Sequence, residues 1–245
     1  MRLVCRLTFL AAATIVAACA PSELPDDPRS SGSRGVLPID RASPLLYVAL
    51  GDSTVEGVGA SSATRNYVGQ LHERLRHVYP RAQLRNLGVG GATAAEVLSR
   101  QLPPAITLRP DLVTLSVGPN DITRERDLES YARDIDAILR ALAGRTDALV
   151  VVNLIPDLTV TPRFRGKQVE PLVRQRVIAF NGVLASQATA HGAQVVDLYA
   201  ASRLEVPGNP ALVGADGYHP SDEGYARWAE LMWAGIEARL APPRR

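Results

Sequence analysis

The sequence predicts an α/β domain of three layers, with helices covering both faces of a five-stranded parallel sheet. Three observations carry this. From Leu45 onward, short apolar runs alternate with amphipathic helical stretches, the pattern of parallel strands joined by crossover helices. One run, 148–155, is apolar almost without interruption, as a strand covered on both faces must be. Finally, 46% of the 245 residues are apolar and 21% are charged, a composition that suits a folded chain with about one domain's core.

The elements follow in order. Residues 45–50 form an apolar first strand. Residues 66–79 place Tyr67, Val68, Leu71, Leu75 and Val78 at helical spacing. A short strand over 83–87 leads into a short helix over 94–101, which Pro103-Pro104 is expected to stop. Residues 111–117 read as a third strand. Residues 128–142 read as a helix with Tyr131, Ile135, Ile138, Leu139 and Leu142 on one side, closed by Gly144. The fourth strand, 148–155, is followed by a long helix over 169–190 and a fifth strand over 194–198. A last helix over 221–240 has Ser221 as its N-cap and Glu223 early in its first turn. No internal repeat is present.

The N-terminus reads as a targeting segment. Arg2 and Arg6 precede an apolar run from Leu7 to Ala18 that is too short to span a membrane comfortably. The run ends Val16-Ala17-Ala18-Cys19, which resembles a bacterial lipobox. The resemblance implies a signal peptide over 1–18, a lipid on Cys19, a flexible tether to residue 43 and a domain over 44–245. It also implies export to the cell envelope with membrane attachment through Cys19. The alternative is an ordinary secretory signal cut near Ala18 or Ala20. With Cys5 in the signal and Cys19 lipidated, the domain has no disulfide. Loss of Arg2 and Arg6 leaves 25 basic residues against 25 acidic ones, so no global charge favours nucleic acid. A monomer is expected.

The chemistry-bearing residues fall on one edge of the expected sheet. Ser53 follows the first strand, the glycine-rich turn 88–93 the second, and Gly118-Pro119-Asn120-Asp121 the third. Ligands of open parallel sheets bind beyond the carboxyl ends of the strands. A serine at a strand-to-helix turn can present its hydroxyl there, although such a serine is equally a turn or cap residue. Val55 replaces the second glycine of Gly-x-Ser-x-Gly, which argues against the α/β-hydrolase elbow. His219 lies in a loop just before a helix, with Asp216 three residues upstream. Asp216 can bind Nδ1 and leave Nε2 for Ser53; read separately, the two are a helix-entry residue and an Asp-Gly turn. His72 and His77 lie among charged residues of a helix, and His191 sits at a helix end where a cation suits the macrodipole. The glycine-rich turn can aim amides at an oxyanion. Its competing phosphate reading lacks both the Lys-Ser/Thr of a P-loop and a Gly-x-Gly-x-x-Gly. Asn120 offers a side-chain donor or is a turn residue. No cofactor or metal is expected, because no His/Cys/Asp cluster has ligand spacing.

Together, Gly51-Asp52-Ser53, the stretch from Asn86 to Gly91, Gly118-Pro119-Asn120-Asp121 and Asp216-Gly217-Tyr218-His219-Pro220 stand in the order and spacing of the SGNH hydrolases, also called GDSL esterases/lipases. The chain resembles that family over about residues 45–240. The resemblance implies a flavodoxin-like SGNH fold and a serine esterase working through an acyl-enzyme. Ser53 would be the nucleophile, His219 the base and Asp216 its partner. The oxyanion hole would be the Ser53 and Gly91 amides with the Asn120 side chain, and Asn86 would tie turns together. Thr54 stands where the family name has leucine.

Within that family, substrates include short acyl esters, lysophospholipids, thioesters and acetylated sugars, and the sequence does not choose among them. Alternatives to ester hydrolysis are carbohydrate O-deacetylation, O-acyl transfer and a non-catalytic envelope binding protein. The loop 156–170, with Arg163, Arg165 and Lys167, is expected to overhang the site as a solvated or substrate-reading segment, and 203–215 to border the pocket. Trp228 and Trp233 are expected to pack in the core.

Overall fold

The five expected strands are present and parallel in the computed structural model, which describes residues 35–240. They are β1 (Leu45–Gly51), β2 (Ala82–Asn86), β3 (Leu112–Ser116), β4 (Leu149–Asn153) and β5 (Gln194–Val196), in the order β2-β1-β3-β4-β5. After β1 come α1 (Ser53–Glu56) and α2 (Tyr67–Val78), and after β2 come α3 (Ala94–Glu96) and α4 (Leu102–Thr107). β3 leads to α5 (Pro119–Thr123) and α6 (Leu128–Arg145), β4 to α7 (Glu170–Ala190), and β5 to α8 (Leu198–Glu205) and α9 (Asp222–Glu237).

The period-2 alternation of each strand divides the core between the two faces. Val48 and Leu50, Val113 and Leu115, and Val150 and Val152 face one layer, built from Tyr131, Ile135 and Ile138 of α6 with Val177, Phe180 and Leu184 of α7. Tyr47 and Ala49, Leu112, and Leu149 and Val151 face the other, built from Leu71 and Leu75 of α2 with Tyr225, Met232 and Ile236 of α9. Every residue of β3 and β4 is buried. The strand order reverses between β1 and β3, and the crevice at such a switch point lies beyond their carboxyl ends.

Side chains fix the helix starts. Asn66 accepts the Gly69 amide at 2.7 Å, Asp127 the Ser130 amide at 2.8 Å, and Ser221, as expected, the Gly224 amide at 3.2 Å. Each satisfies one of the orphan donors of a first turn.

Four expectations are corrected. Pro103-Pro104 does not stop the helix that starts at Ala94. A π-turn over Val97–Gln101 shifts the register, with the Leu102 amide donating to Val97 O. The prolines then fall in the first turn of α4, where no amide donor is needed. Gly144 does not close α6; the helix runs to Arg145, and Thr146 caps it through its amide and hydroxyl, both on Leu142 O. The fifth strand stops at Val196 because Asp197 caps α8 by accepting the Ala200 amide at 2.9 Å. Residues 35–43, expected as tether, lie against the domain instead. Leu37 is 1% exposed in the α2/α9 layer, and the Tyr79 hydroxyl donates to Pro38 O at 2.7 Å. The expected signal segment 1–18, Cys19 and the rest of the tether lie outside the described residues.

β1 passes close to β3 where the first strand ends. Gly51 has φ +149, and a Cβ there would lie 1.9 Å from Ser116 O. Gly51→Ala is therefore expected to lower the unfolding free energy by more than about 3 kcal/mol, read by urea denaturation; a change below about 1 kcal/mol would show that the strands can part.

Candidate active site

Ser53 opens α1 directly beyond β1. Its turn is held from behind by Gln101, which is 4% exposed and sits on the π-turn. The Gly51 amide donates to Gln101 Oε1 and Gln101 Nε2 donates to Gly51 O, both at 2.8 Å. Sequence reasoning missed Gln101; the available signal was an amide side chain on the same buried face as Ala94 and Val97. Asp52, 1% exposed, caps α1, with Oδ1 accepting the Thr54 amide and hydroxyl at 2.9 Å each. Burial pushes the Asp52 carboxyl up to about 6, against the Thr54 hydrogen bonds and the attraction of His219.

The loop before α9 brings the imidazole to the serine. His219 Nε2 lies 2.9 Å from Ser53 Oγ, and Nδ1 lies 2.5 Å from Asp216 Oδ2. Asp216 Oδ1 accepts the amides of Tyr218 and His219 at 2.9 and 3.0 Å. Gly217 supplies the left-handed residue of this turn at φ +70. The Asp216 side chain is 46% exposed. What desolvation it has acts to raise its pKa, but the His219 ring and the two amides outweigh this and hold it below the usual carboxylate value. The expected pair thus meets the expected serine, though the partners are 166 positions apart.

The other histidines are engaged elsewhere or exposed. His72 Nε2 lies 3.2 Å from Ala82 O, and His191, at the end of α7, pairs with Asp136 at 2.8 Å. His77 is exposed. Among the described residues, no group of three or more His, Cys, Asp or Glu side chains could hold a metal ion.

The turns after β2 and β3 carry the expected donors. Gly91 adopts φ +79. Among the described residues, neither the Ser53 nor the Gly91 amide has an acceptor within the chain. Asn120 lies in α5, and its Nδ2 donates to Ala92 O at 3.1 Å, which leaves the second amide hydrogen available. Asp121, fully buried, accepts the Ala94 amide at 3.0 Å and Arg126 Nη1 at 2.7 Å, so the two turns are tied together. Asn86 acts as expected: Nδ2 donates to Val55 O at 2.7 Å and Oδ1 accepts the Gly88 amide at 2.9 Å. Glu56 adds a tie to the Gly90 amide at 2.7 Å.

The loop 156–170 does border the site. Its Arg163 guanidinium stacks over Tyr218 at 4.6 Å, and the Arg163 amide donates to Gly217 O at 3.0 Å. This cation, exposed like Arg165 and Lys167, braces the turn that carries His219. Trp228 packs as expected, stacked on Tyr67 at 5.2 Å, and also lines the cleft beside Ser53.

Comparison with known proteins gives the family and the fold. The model of the GDSL-like lipase/acylhydrolase family matches residues 49–227. An acetylxylan esterase of Geobacillus stearothermophilus is 28% identical over 186 residues, covering 71% of this chain and 83% of that protein. The GDSL-like esterase Rv1075c of Mycobacterium tuberculosis is 27% identical over 237 residues, covering 90% and 73%. The crystal structure of Axe2, an acetylxylan esterase from Geobacillus stearothermophilus, superposes with a TM-score of 0.65 at 21% identity, covering 80% of this chain and 96% of that one; at that identity the likeness concerns the fold.

The buried carboxyl beside the serine has a thermodynamic consequence. Its pKa rises from an ordinary 3.8 to about 6 on folding. The native state therefore binds the extra proton, and this group's contribution to stability is fully present below pH 3.8 and lost as pH rises through 6. Asp52→Asn keeps the cap without the charge. Its stability relative to wild type is expected to rise by on the order of 2–3 kcal/mol between pH 4 and 7, measured by denaturant titration across pH; a pH-independent difference would contradict the burial argument.

Proposed function

The chain belongs to the GDSL-like lipase/acylhydrolase family and is a carboxylic ester hydrolase; from that premise we propose that it works through an acyl-enzyme on Ser53. The observation that carries this reading is the 2.9 Å contact between Ser53 Oγ and His219 Nε2, with Asp216 on Nδ1 of the same ring. Ser53 Oγ attacks the ester carbonyl while Nε2 takes its proton. Asp216 accepts the Nδ1 hydrogen, fixes the tautomer and stabilises the imidazolium that forms. The negative oxygen of the tetrahedral intermediate is held by the Ser53 and Gly91 amides and the free Asn120 hydrogen. His219 returns the proton to the leaving alcohol. Water, deprotonated by the same nitrogen, then releases the acid and restores the serine.

The site is assembled before substrate arrives. Asn120 is already oriented by Ala92 O, and Asp216 is fixed by two amides. Electrostatic help of this kind depends on donors that need no rearrangement during the reaction.

We further propose that the enzyme works at the bacterial cell envelope, anchored by a lipid on Cys19. The support is the sequence Val16-Ala17-Ala18-Cys19 behind an apolar run and two arginines. Cys19→Ser is expected to move the protein from the membrane fraction to the soluble fraction; an unchanged membrane fraction would remove the anchor from the account.

For the chemistry, Ser53→Ala is expected to lower hydrolysis of p-nitrophenyl esters by about 10³-fold or more, and to abolish labelling by a fluorophosphonate. Asn120→Ala is expected to lower kcat by about 10²–10³-fold with the melting temperature retained. Full turnover in either variant would refute the role assigned to that residue.

A further inference from the structure

A half-enclosed cleft of about 110 Å³ opens directly beside Ser53 and His219. Its walls are apolar, formed by Leu158 and Val160 beyond β4, Leu198 and Val206 at the ends of α8, Val213, and Leu231 of α9. The charged groups at its margin face partners within the protein. Glu205 of α8 and Arg227 of α9 hold each other through two hydrogen bonds of 2.9 Å. Asp157 Oδ1 accepts the amide and hydroxyl of Thr159 at 2.9 and 2.5 Å, while its Oδ2 is buried without a hydrogen bond and lies 3.8 Å from Arg174 Nη1. The cleft thus offers mainly hydrocarbon to a ligand, and the Glu205–Arg227 pair ties its two helical walls together in the free protein.

We infer that this cleft is the acyl-chain site and that the enzyme selects esters of straight acyl chains of about four to six carbons. The inference rests on the acyl-enzyme reading above and adds the substrate class to it. Size sets the length. An apolar cavity of about 150 Å³ takes up a six-carbon ring, so a cleft of about 110 Å³ takes on the order of four methylene or methyl groups beyond the carbonyl. Chemistry sets the polarity. A sugar ring placed here would lose hydrogen bonds to water and regain few, whereas an alkyl chain gains from the same desolvation. The order of events assigns the cleft to the acyl half. The acyl group stays bonded to Ser53 Oγ while the alcohol must depart and water must enter, and a half-enclosed apolar cleft suits the part that stays.

Two ester series test this on the full-length protein. With p-nitrophenol as the constant leaving group, kcat/KM is expected to climb by up to about fourfold per added methylene from acetate to hexanoate, then to fall for decanoate and longer. With acetate as the constant acyl group, lengthening the alcohol is expected to leave kcat/KM nearly flat. Ala201 of α8 lines the cleft and touches none of the reacting atoms in the mechanism. Ala201→Phe is expected to lower hexanoate turnover by about tenfold or more, with acetate turnover within about twofold of wild type. Leu231→Ala, which enlarges the cleft, is expected to shift the optimum to longer chains and covers the case in which the phenylalanine variant does not fold. Acetate as the best acyl substrate, or a gain that follows the alcohol series, would overturn the inference while leaving the acyl-enzyme reading intact. A wild-type protein that hydrolyses no ester and is not labelled by fluorophosphonate would sink both.

Discussion

The backbone of Gly51 passes so close to β3 that a methyl group at its Cα would collide with the Ser116 carbonyl. Much of the catalytic edge is arranged around that contact. Only glycine can end β1 in this position, and the chain then turns at Asp52 and enters α1 with Ser53 as its first residue. The Asp52 amide donates to Ser116 O at 3.3 Å, so the turn is fastened to the neighbouring strand. Behind it, the reciprocal amide pair with Gln101 fixes the last peptide of β1. A hydroxyl placed by backbone packing has little freedom to move away from its base, and the entropy of alignment is met on folding rather than during turnover.

Two carboxyls near Ser53 and His219 sit in opposite environments. Asp216 is half-exposed, hydrogen-bonded by two amides and the ring, and held below the usual carboxylate range. In the proposed mechanism it supplies the charge opposite the protonated His219 ring. Asp52 is buried and pushed up to about 6. Its work is done by accepting the Thr54 amide and hydroxyl, which a neutral group also manages. The orienting role thus falls to the residue whose charge water helps to maintain, and the capping role to the one whose charge the core opposes.

How much of this was legible in the sequence follows from the range of the interactions. The strand β4 announced itself because burial on both faces demands a nearly uninterrupted apolar run, and β3 did so through its alternating and β-branched residues. Ser53, Gly91, Asn120, Asp216 and His219 were legible because each lies in a short block with a local backbone signature. What escaped is set by contacts between distant segments. Nothing near Gln101 signals that its amide will meet Gly51, fifty positions away. Pro103-Pro104 reads as a stop until the π-turn supplies a new register. Gly144 reads as a cap until Thr146 takes that part. Arg163 reads as a free surface cation until Tyr218 provides the ring beneath it. Residues 35–43 read as linker because Leu37 is their one strongly buried side chain.

Ser53 and His219, the proposed nucleophile and base, enter the chain 166 positions apart, the first at the end of β1 and the second just before α9. A nascent chain exposes the hydroxyl early and the imidazole almost last. α9 also closes the layer that covers Tyr47, Ala49 and Leu112, so the sheet lacks part of its roof until the same segment arrives. Competence to turn over and completion of the core therefore coincide in time. Under the proposed mechanism an unfinished or C-terminally clipped molecule holds the serine as an inert alcohol, and a hydrolase built this way is silent toward the esters around it until the whole domain has closed.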